Sequence, residues 1–323
     1  MKAWLSIIAL LLTSSGVAMA TPDRSRPLGS TLVDRGSAPY LFTPYELASA
    51  DAQRHYRVWV GVPRRAAPAA GYPALYLLDG NAALGALSDA QLADLDQRGP
   101  PVLVFAGYAT DLRFDVNARA SDYTRPLPGG EPVIDDIARQ RRGAGAEVFL
   151  DLLEQRIKPW GQAQARIDLQ RQSLWGHSYG GLLTLHALFT RPQSFQRYIA
   201  ADPSLWWQSG FTVQEAQAFN TRPQTFDLTL PTGGADDPQV RARREAIAAV
   251  LANAAEQLVG RLAVIPQAAV RYRRYSELGH GPMLSASLGP ALRLSTGDAA
   301  VIPRVPADWP VSAANNVKKD LHL

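Results

Sequence analysis

The stretch Leu174-Trp175-Gly176-His177-Ser178-Tyr179-Gly180-Gly181 contains Gly-x-Ser-x-Gly between two segments of different period. A short apolar run precedes it. After it, Leu182, Leu183, Leu185, Leu188 and Phe189 recur at helical spacing, so the whole reads as strand, sharp turn, helix. A serine on so tight a turn is held in a strained backbone conformation with its hydroxyl presented at the tip. Gly176 and Gly180 are expected to be obligatory, because a Cβ at either would collide as the helix folds back over the strand. The question for the rest of the chain is whether it supplies a base, an acid and donors for developing negative charge in the right order.

Working outward, the chain alternates strands and helices. Gly29 to Pro63 has antiparallel strand character, clearest at Tyr56, Val58, Val60 and Val62. Tyr72 to Leu78 is a continuous apolar run ending at Asp79-Gly80-Asn81, which suits a buried central strand and a following loop. A helix over Leu84 to Gln97 and a strand over Pro100 to Ala106 follow. Ala146 to Trp160 is an amphipathic helix closed by Lys158-Pro159, and Leu169 to Trp175 is the strand that delivers Ser178. Further strands are predicted at Tyr198 to Ala201, Thr225 to Leu230 and Val270 to Tyr275, with a long helix over Pro238 to Val259. The fold class is therefore α/β: a mostly parallel central sheet with helices on both faces, in one domain. Between Thr110 and Gly145 the alternation stops. That polar segment carries arginines at 113, 119, 125, 139, 141 and 142, which either face solvent or meet an anionic ligand.

Composition narrows the class. An apolar fraction of 46% and a charged fraction of 19% are those of a soluble globular chain, and a net charge of +4 over 323 residues gives no reason to expect nucleic acid as a partner. Zero cysteines exclude disulfides, a thiol nucleophile and thiolate metal sites. Met1-Lys2, the apolar run Ala3 to Leu12 and the small-x-small triplet Ala18-Met19-Ala20 form an export signal over residues 1 to 20. Thr21 would then begin a mature domain that ends in a polar tail from about Trp309. The apolar run is short for a bilayer span, so an exported chain without stable membrane insertion is expected.

The base follows by elimination among five histidines. His177 lies inside the turn with its side chain directed away from that of Ser178, His186 in the next helix, His55 in an early strand and His322 in the tail. His280 remains, in the flexible turn Leu278-Gly279-His280-Gly281-Pro282 directly after the last strand. The acid should lie between serine and histidine, after a strand. Asp237 fits best and Asp236 is the alternative, although an aspartate before Pro238 and a helix is also what capping would select. The oxyanion donors would be the backbone amides of Tyr179 and of Asn81, Asn81 being equally readable as a turn residue. The histidines are too scattered for a metal ligand set, and no cofactor is expected.

Leu78-Asp79-Gly80-Asn81, Gly176 to Gly180 and Gly279 to Pro282 together resemble the esterase D-like branch of the α/β-hydrolases. Lys158-Pro159-Trp160, Pro203-Ser204-Leu205-Trp206-Trp207 and Gly279-His280-Gly281-Pro282-Met283 extend the likeness to periplasmic esterases that open catecholate siderophore trilactones such as enterobactin, over most of residues 35 to 295. The resemblance implies an α/β-hydrolase fold and ester hydrolysis through an acyl-enzyme on Ser178. It also implies an anionic, aromatic substrate with or without bound iron, any iron arriving with that substrate. Arg113 and Arg125 would suit such a ligand by charge, and Trp206 or Trp207 by stacking, unless the tryptophans serve the core. Some of these esterases work with a Ser-His pair, whereas Asp236 and Asp237 stand here where esterase D relatives carry an acid. A general carboxylesterase or acyltransferase would use the same residues, and a catalytically idle siderophore-binding protein is a third reading.

Overall fold

The computed structural model describes residues 27–129, 133–136, 141–219, 224–235 and 253–309. In chain order these form α1 (Leu32–Arg35), β1 (Tyr40–Ala48), β2 (His55–Pro63), β3 (Tyr72–Leu78), α2 (Gly80–Ala86), α3 (Asp89–Gln97), β4 (Val102–Tyr108) and α4 (Val116–Asp122). Next come β5 (Ile134–Asp136), β6 (Arg141–Arg142), α5 (Ala146–Leu152), α6 (Lys158–Gln164), β7 (Ile167–His177), α7 (Tyr179–Thr190), β8 (Arg197–Ala201) and α8 (Phe211–Ala218). The described chain closes with β9 (Phe226–Gly233), α9 (Ala254–Ala263), β10 (Ala268–Tyr275) and α10 (Met283–Thr296).

Eight strands make one sheet in the order β1-β2-β4-β3-β7-β8-β9-β10. β1 and β2 pair antiparallel, as does β2 with β4, and every pairing from β4 to β10 is parallel. Successive side chains of a strand face opposite ways, so an unbroken apolar run feeds two cores at once. In β3, Ala74, Tyr76 and Leu78 enter the core under α5, α7, α8 and α9, while Leu75 and Leu77 enter the one under α1, α2, α3 and α10. The expected mostly parallel sheet, covered on both faces, is the observed one.

Local chemistry moves some boundaries. The helix expected over 84–97 is two helices, because Ser88 starts a new one. Its hydroxyl accepts from the Gln91 amide at 3.3 Å, and Gln91 Oε1 accepts from the Ser88 amide at 2.9 Å. Pro159 does not close the helix begun at Ala146. A π-turn over Leu153–Ile157 changes the hydrogen-bond register ahead of it, and α6 carries on with the proline in its first turn, where no N–H is required. The 110–145 segment contains α4, capped by Asp115 at the Asn117 and Ala118 amides, and the antiparallel pair β5 and β6. Of the helix expected over 238–259, residues 238–252 lie outside the described part, and α9 runs to Ala263. Among the described residues no helix is long and apolar enough to cross a membrane.

His186 of α7 ties α5 to α8. Its Nε2 lies 2.7 Å from Glu147 Oε1 and its Nδ1 2.8 Å from Glu215 Oε1, while Arg191 pairs with Glu147 and Arg125 with Glu215. Burial by itself disfavours the imidazolium, but the two carboxylates outweigh it and hold the pKa above the ordinary 6.5. A folded-state value raised above the unfolded one means that this stabilisation is complete below the unfolded pKa and is lost as pH rises through the raised value. The melting temperature should therefore fall, as pH rises above the ordinary 6.5, by more in the native protein than in His186→Gln. Parallel pH profiles of the two in scanning calorimetry would contradict this.

Candidate active site

The last residue of β7 is His177, Ser178 follows at φ 62°, ψ −115°, and α7 starts at once with Tyr179. The turn is pinned by the Ser178 amide donating to Ala201 O at the end of β8, 3.0 Å away. A Cβ on Gly176 would lie 2.3 Å from Gly180 O, so glycine is obligatory there. At Gly180 the nearest atom would be 3.4 Å away, an ordinary contact, and the expectation of a second obligatory glycine is not met at that position. Gly181 is tighter, with a Cβ there 3.0 Å from Pro203.

The loop after β10 brings His280 to the serine. His280 Nε2 is 2.9 Å from Ser178 Oγ, and Nδ1 is 2.6 Å from Asp202 Oδ2. The carboxylate on the histidine is thus Asp202, at the end of β8. Asp237 and Asp236, expected in this position, lie outside the described residues. Asp202 also satisfies the order Ser, Asp, His and also follows a strand, β8, the immediate neighbour of β7. The glycines at 233 and 234 serve the loop instead. The Gly233 amide donates to Asp202 Oδ1 at 3.1 Å, and the Gly234 and Ala235 amides both donate to Leu278 O at 3.0 Å, fixing the turn that carries His280.

Electrostatics set the proton positions. Burial pushes Asp202 up, but the hydrogen bond and charge of His280, the nearby His177 and the Gly233 amide together hold it below its usual range. An ionised carboxylate only accepts, so Nδ1 carries the hydrogen, and in the neutral imidazole Nε2 is free to accept from the Ser178 hydroxyl. His177 has a scaffold part that its position in the motif did not announce. Burial, with His280 close by, lowers its pKa to about 3, and its Nε2–H donates to His280 O at 2.9 Å.

Helices start directly after the neighbouring parallel strands β7 and β3. Tyr179 is the first residue of α7, so its amide has no intrahelical acceptor, and Asn81 lies in the first turn of α2. The Asn81 side chain clamps the end of β4. Its Nδ2 donates to Tyr108 O and Thr110 O, both at 3.1 Å, and its Oδ1 accepts from the Tyr108 amide at 2.8 Å. Before it, Asp79 is buried in the left-handed region at φ 49° and held by Arg119 through two bonds of 2.8 Å.

Strand order, elbow and hydrogen-bonded chain are those of a serine hydrolase. The Esterase family model matches residues 49–259 of the chain. The chain belongs to the Esterase family. It is 38% identical over 296 residues to the apo-salmochelin esterase of Escherichia coli, covering 90% of each chain. It is 31% identical over 261 residues to the ferri-bacillibactin esterase BesA of Bacillus subtilis, covering 77% of this chain and 87% of the relative. The solved structure of the enterobactin and salmochelin hydrolase IroE superposes with a TM-score of 0.65 at 37% identity, covering 82% of this chain and 99% of that one.

In this esterase the expected ligand-facing residues part company. Arg125 is engaged by Glu215 at 2.5 Å and lies 4.6 Å from the Phe211 ring centre, so its charge is already paired. Arg113 lies over the Phe114 ring. Trp207 is buried and donates from Nε1 to Asp135 Oδ1 at 2.9 Å, which makes it part of the scaffold. Trp206 is half-buried, its ring 6.1 Å from that of Tyr179. Asp135, which nothing in the sequence pattern singles out, also accepts from the Tyr179 hydroxyl at 2.8 Å and from Arg141 Nε at 2.6 Å. Donor atoms of His177, Asp202 and His280 lie within 4.8 Å of one another, but hydrogen bonds to Ser178 and within the group already occupy those of Asp202 and His280.

Replacing Asp202 by asparagine keeps the shape but favours the wrong imidazole tautomer. The expected loss in kcat is about 10³- to 10⁴-fold on a short aryl ester. Asp236→Asn and Asp237→Asn should stay within about threefold of the native enzyme. The three variants assayed side by side check this, and a large loss in Asp237→Asn with Asp202→Asn active would reverse the assignment.

Proposed function

We propose that this esterase hydrolyses the trilactone esters of a catecholate siderophore such as enterobactin, through an acyl-enzyme on Ser178, in the periplasm. The observation that carries the reaction is the unbroken hydrogen-bonded chain from Ser178 Oγ through His280 to Asp202. Ser178 Oγ attacks an ester carbonyl while His280 Nε2 takes its proton, and the tetrahedral oxyanion is met by the Tyr179 and Asn81 amides. The departing seryl oxygen leaves as a hydroxyl with the proton from His280. Water then attacks the acyl-enzyme, giving its proton to His280, which returns it to Ser178 Oγ. The substrate class is supported by the 38% identity to the salmochelin esterase over nearly the whole chain. The export signal read at residues 1 to 20 supports the compartment.

Trp206, half-buried beside the Tyr179 ring, and Arg113 are the residues assigned to recognition of an anionic, aromatic ligand. Trp206→Ala should raise KM for the siderophore about three- to tenfold, the worth of one aromatic contact, and leave kcat/KM for a small aryl ester within about threefold. Equal losses on both substrates would place Trp206 in the scaffold.

Incubation of the mature protein with ferric and iron-free enterobactin, followed by chromatography, tests the substrate. Linear trimer, dimer or monomer should form with the native protein and not with Ser178→Ala. An intact macrocycle beside rapid aryl-ester turnover would leave a general carboxylesterase; inertness toward both would leave a binding protein.

A further inference from the structure

A second hydroxyl touches the nucleophile. Ser204 is buried, 1% exposed, and its Oγ lies 3.0 Å from Ser178 Oγ. It is held there from the backbone. The Ser204 amide donates to Ser178 O at 3.2 Å, Ser204 O accepts from the Trp207 amide at 2.9 Å, and the preceding Pro203 packs against Gly181. Among the described residues Ser178 Oγ is the one hydrogen-bond partner of Ser204 Oγ.

Counting protons settles which oxygen donates. Ser178 has one hydroxyl hydrogen and two neighbours, His280 Nε2 at 2.9 Å and Ser204 Oγ at 3.0 Å. Since Nδ1–H is committed to Asp202, Nε2 of the neutral imidazole is an acceptor and takes the Ser178 hydrogen. The contact with Ser204 is then a hydrogen bond only if Ser204 donates. One direction satisfies every group: Ser204 to Ser178, Ser178 to His280, His280 to Asp202.

We infer that Ser204 is a catalytic residue, its hydroxyl donating to Ser178 Oγ and stabilising the negative charge that forms there as the proton leaves for His280. The inference rests on the acyl-enzyme reading of Ser178. An oxygen losing its proton becomes a stronger acceptor, so the bond tightens on the way to attack. Once Oγ is bonded to the acyl carbon it is an ester oxygen and a weak acceptor, and the bond slackens. It tightens again in the second half-reaction, as the bond between Oγ and the acyl carbon breaks and the electron pair returns to Oγ. A bond strongest at the transition state accelerates both half-reactions without tightening substrate binding.

The test is the rate at which diisopropyl fluorophosphate modifies Ser178, followed by intact mass, with melting temperature recorded for each variant. Ser204→Ala should slow labelling about 10- to 100-fold, with KM for an aryl ester within about threefold. Ser204→Thr and Ser204→Val add nearly the same volume at this buried site, and only threonine keeps a donor. Threonine should therefore label at least about tenfold faster than valine. Labelling of Ser204→Ala at the native rate, or equal slowing by threonine and valine, would overturn the role of the hydroxyl while leaving Ser178 as nucleophile. Failure of the native protein to label would overturn both, whereas labelling lost in Ser178→Ala alone would remove only the part given to Ser204.

Discussion

The backbone at Ser178 sets the terms for everything around it. At φ 62° the chain reverses from β7 into α7 within one residue, and it does so because Gly176 leaves the space that Gly180 O fills. A non-glycine residue in that region costs of order 1–3 kcal/mol and persists only where the surroundings over-determine it. Here they do. The Ser178 amide is tied to β8, its carbonyl receives the Ser204 and Leu182 amides, and the flanking strand and helix are buried in both cores. The strain lifts one hydroxyl clear of the sheet with a fresh helix start behind it.

The same device recurs along the strand ends. Asp79 after β3 and Asp202 after β8 also take positive φ, 49° and 40°, and aspartate tolerates that region better than most residues. Each turns the chain out of the sheet on the side of Ser178 and leaves a buried carboxylate that needs a partner. Asp79 finds Arg119, and Asp202 finds His280 and the Gly233 amide. A buried carboxylate stripped of its partner costs about 3–5 kcal/mol, so both are bound into the fold as well as the site. Described residues between 110 and 145 are held in the same way. Asp135 collects Tyr179, Trp207 and Arg141, and Arg119 lies 5.2 Å from the Tyr179 ring centre, so residues of that segment abut the first residue of α7.

Apolar runs and their period gave away the sheet, because a strand buried on both faces has little other way to be written; β3 and β4 were legible for that reason. Helix ends were less so. Ser88 and Gln91 restart a helix by reaching one another's backbone, and a π-turn lets the chain pass Pro159, both details of register that a period does not carry. Arg125 and Trp207 looked available for a ligand because their partners, Glu215 and Asp135, are 90 and 72 residues distant in the chain and meet them only after folding.

The sequence by itself singled out Ser178 and His280, and the structure sets His280 Nε2 2.9 Å from Ser178 Oγ. A Gly-x-Ser-x-Gly between strand and helix is dictated by local sterics, and only one histidine lies in a turn able to reach over the strand ends. Only the tertiary structure brought Asp202 and Ser204 to this pair. The rule of order admits Asp202 as well as the segment at 236 and 237, and order along the chain carries no distance to His280. Sheet order is set by long-range packing, and that placed Asp202 and Ser204, from one short loop after β8, against His280 and Ser178.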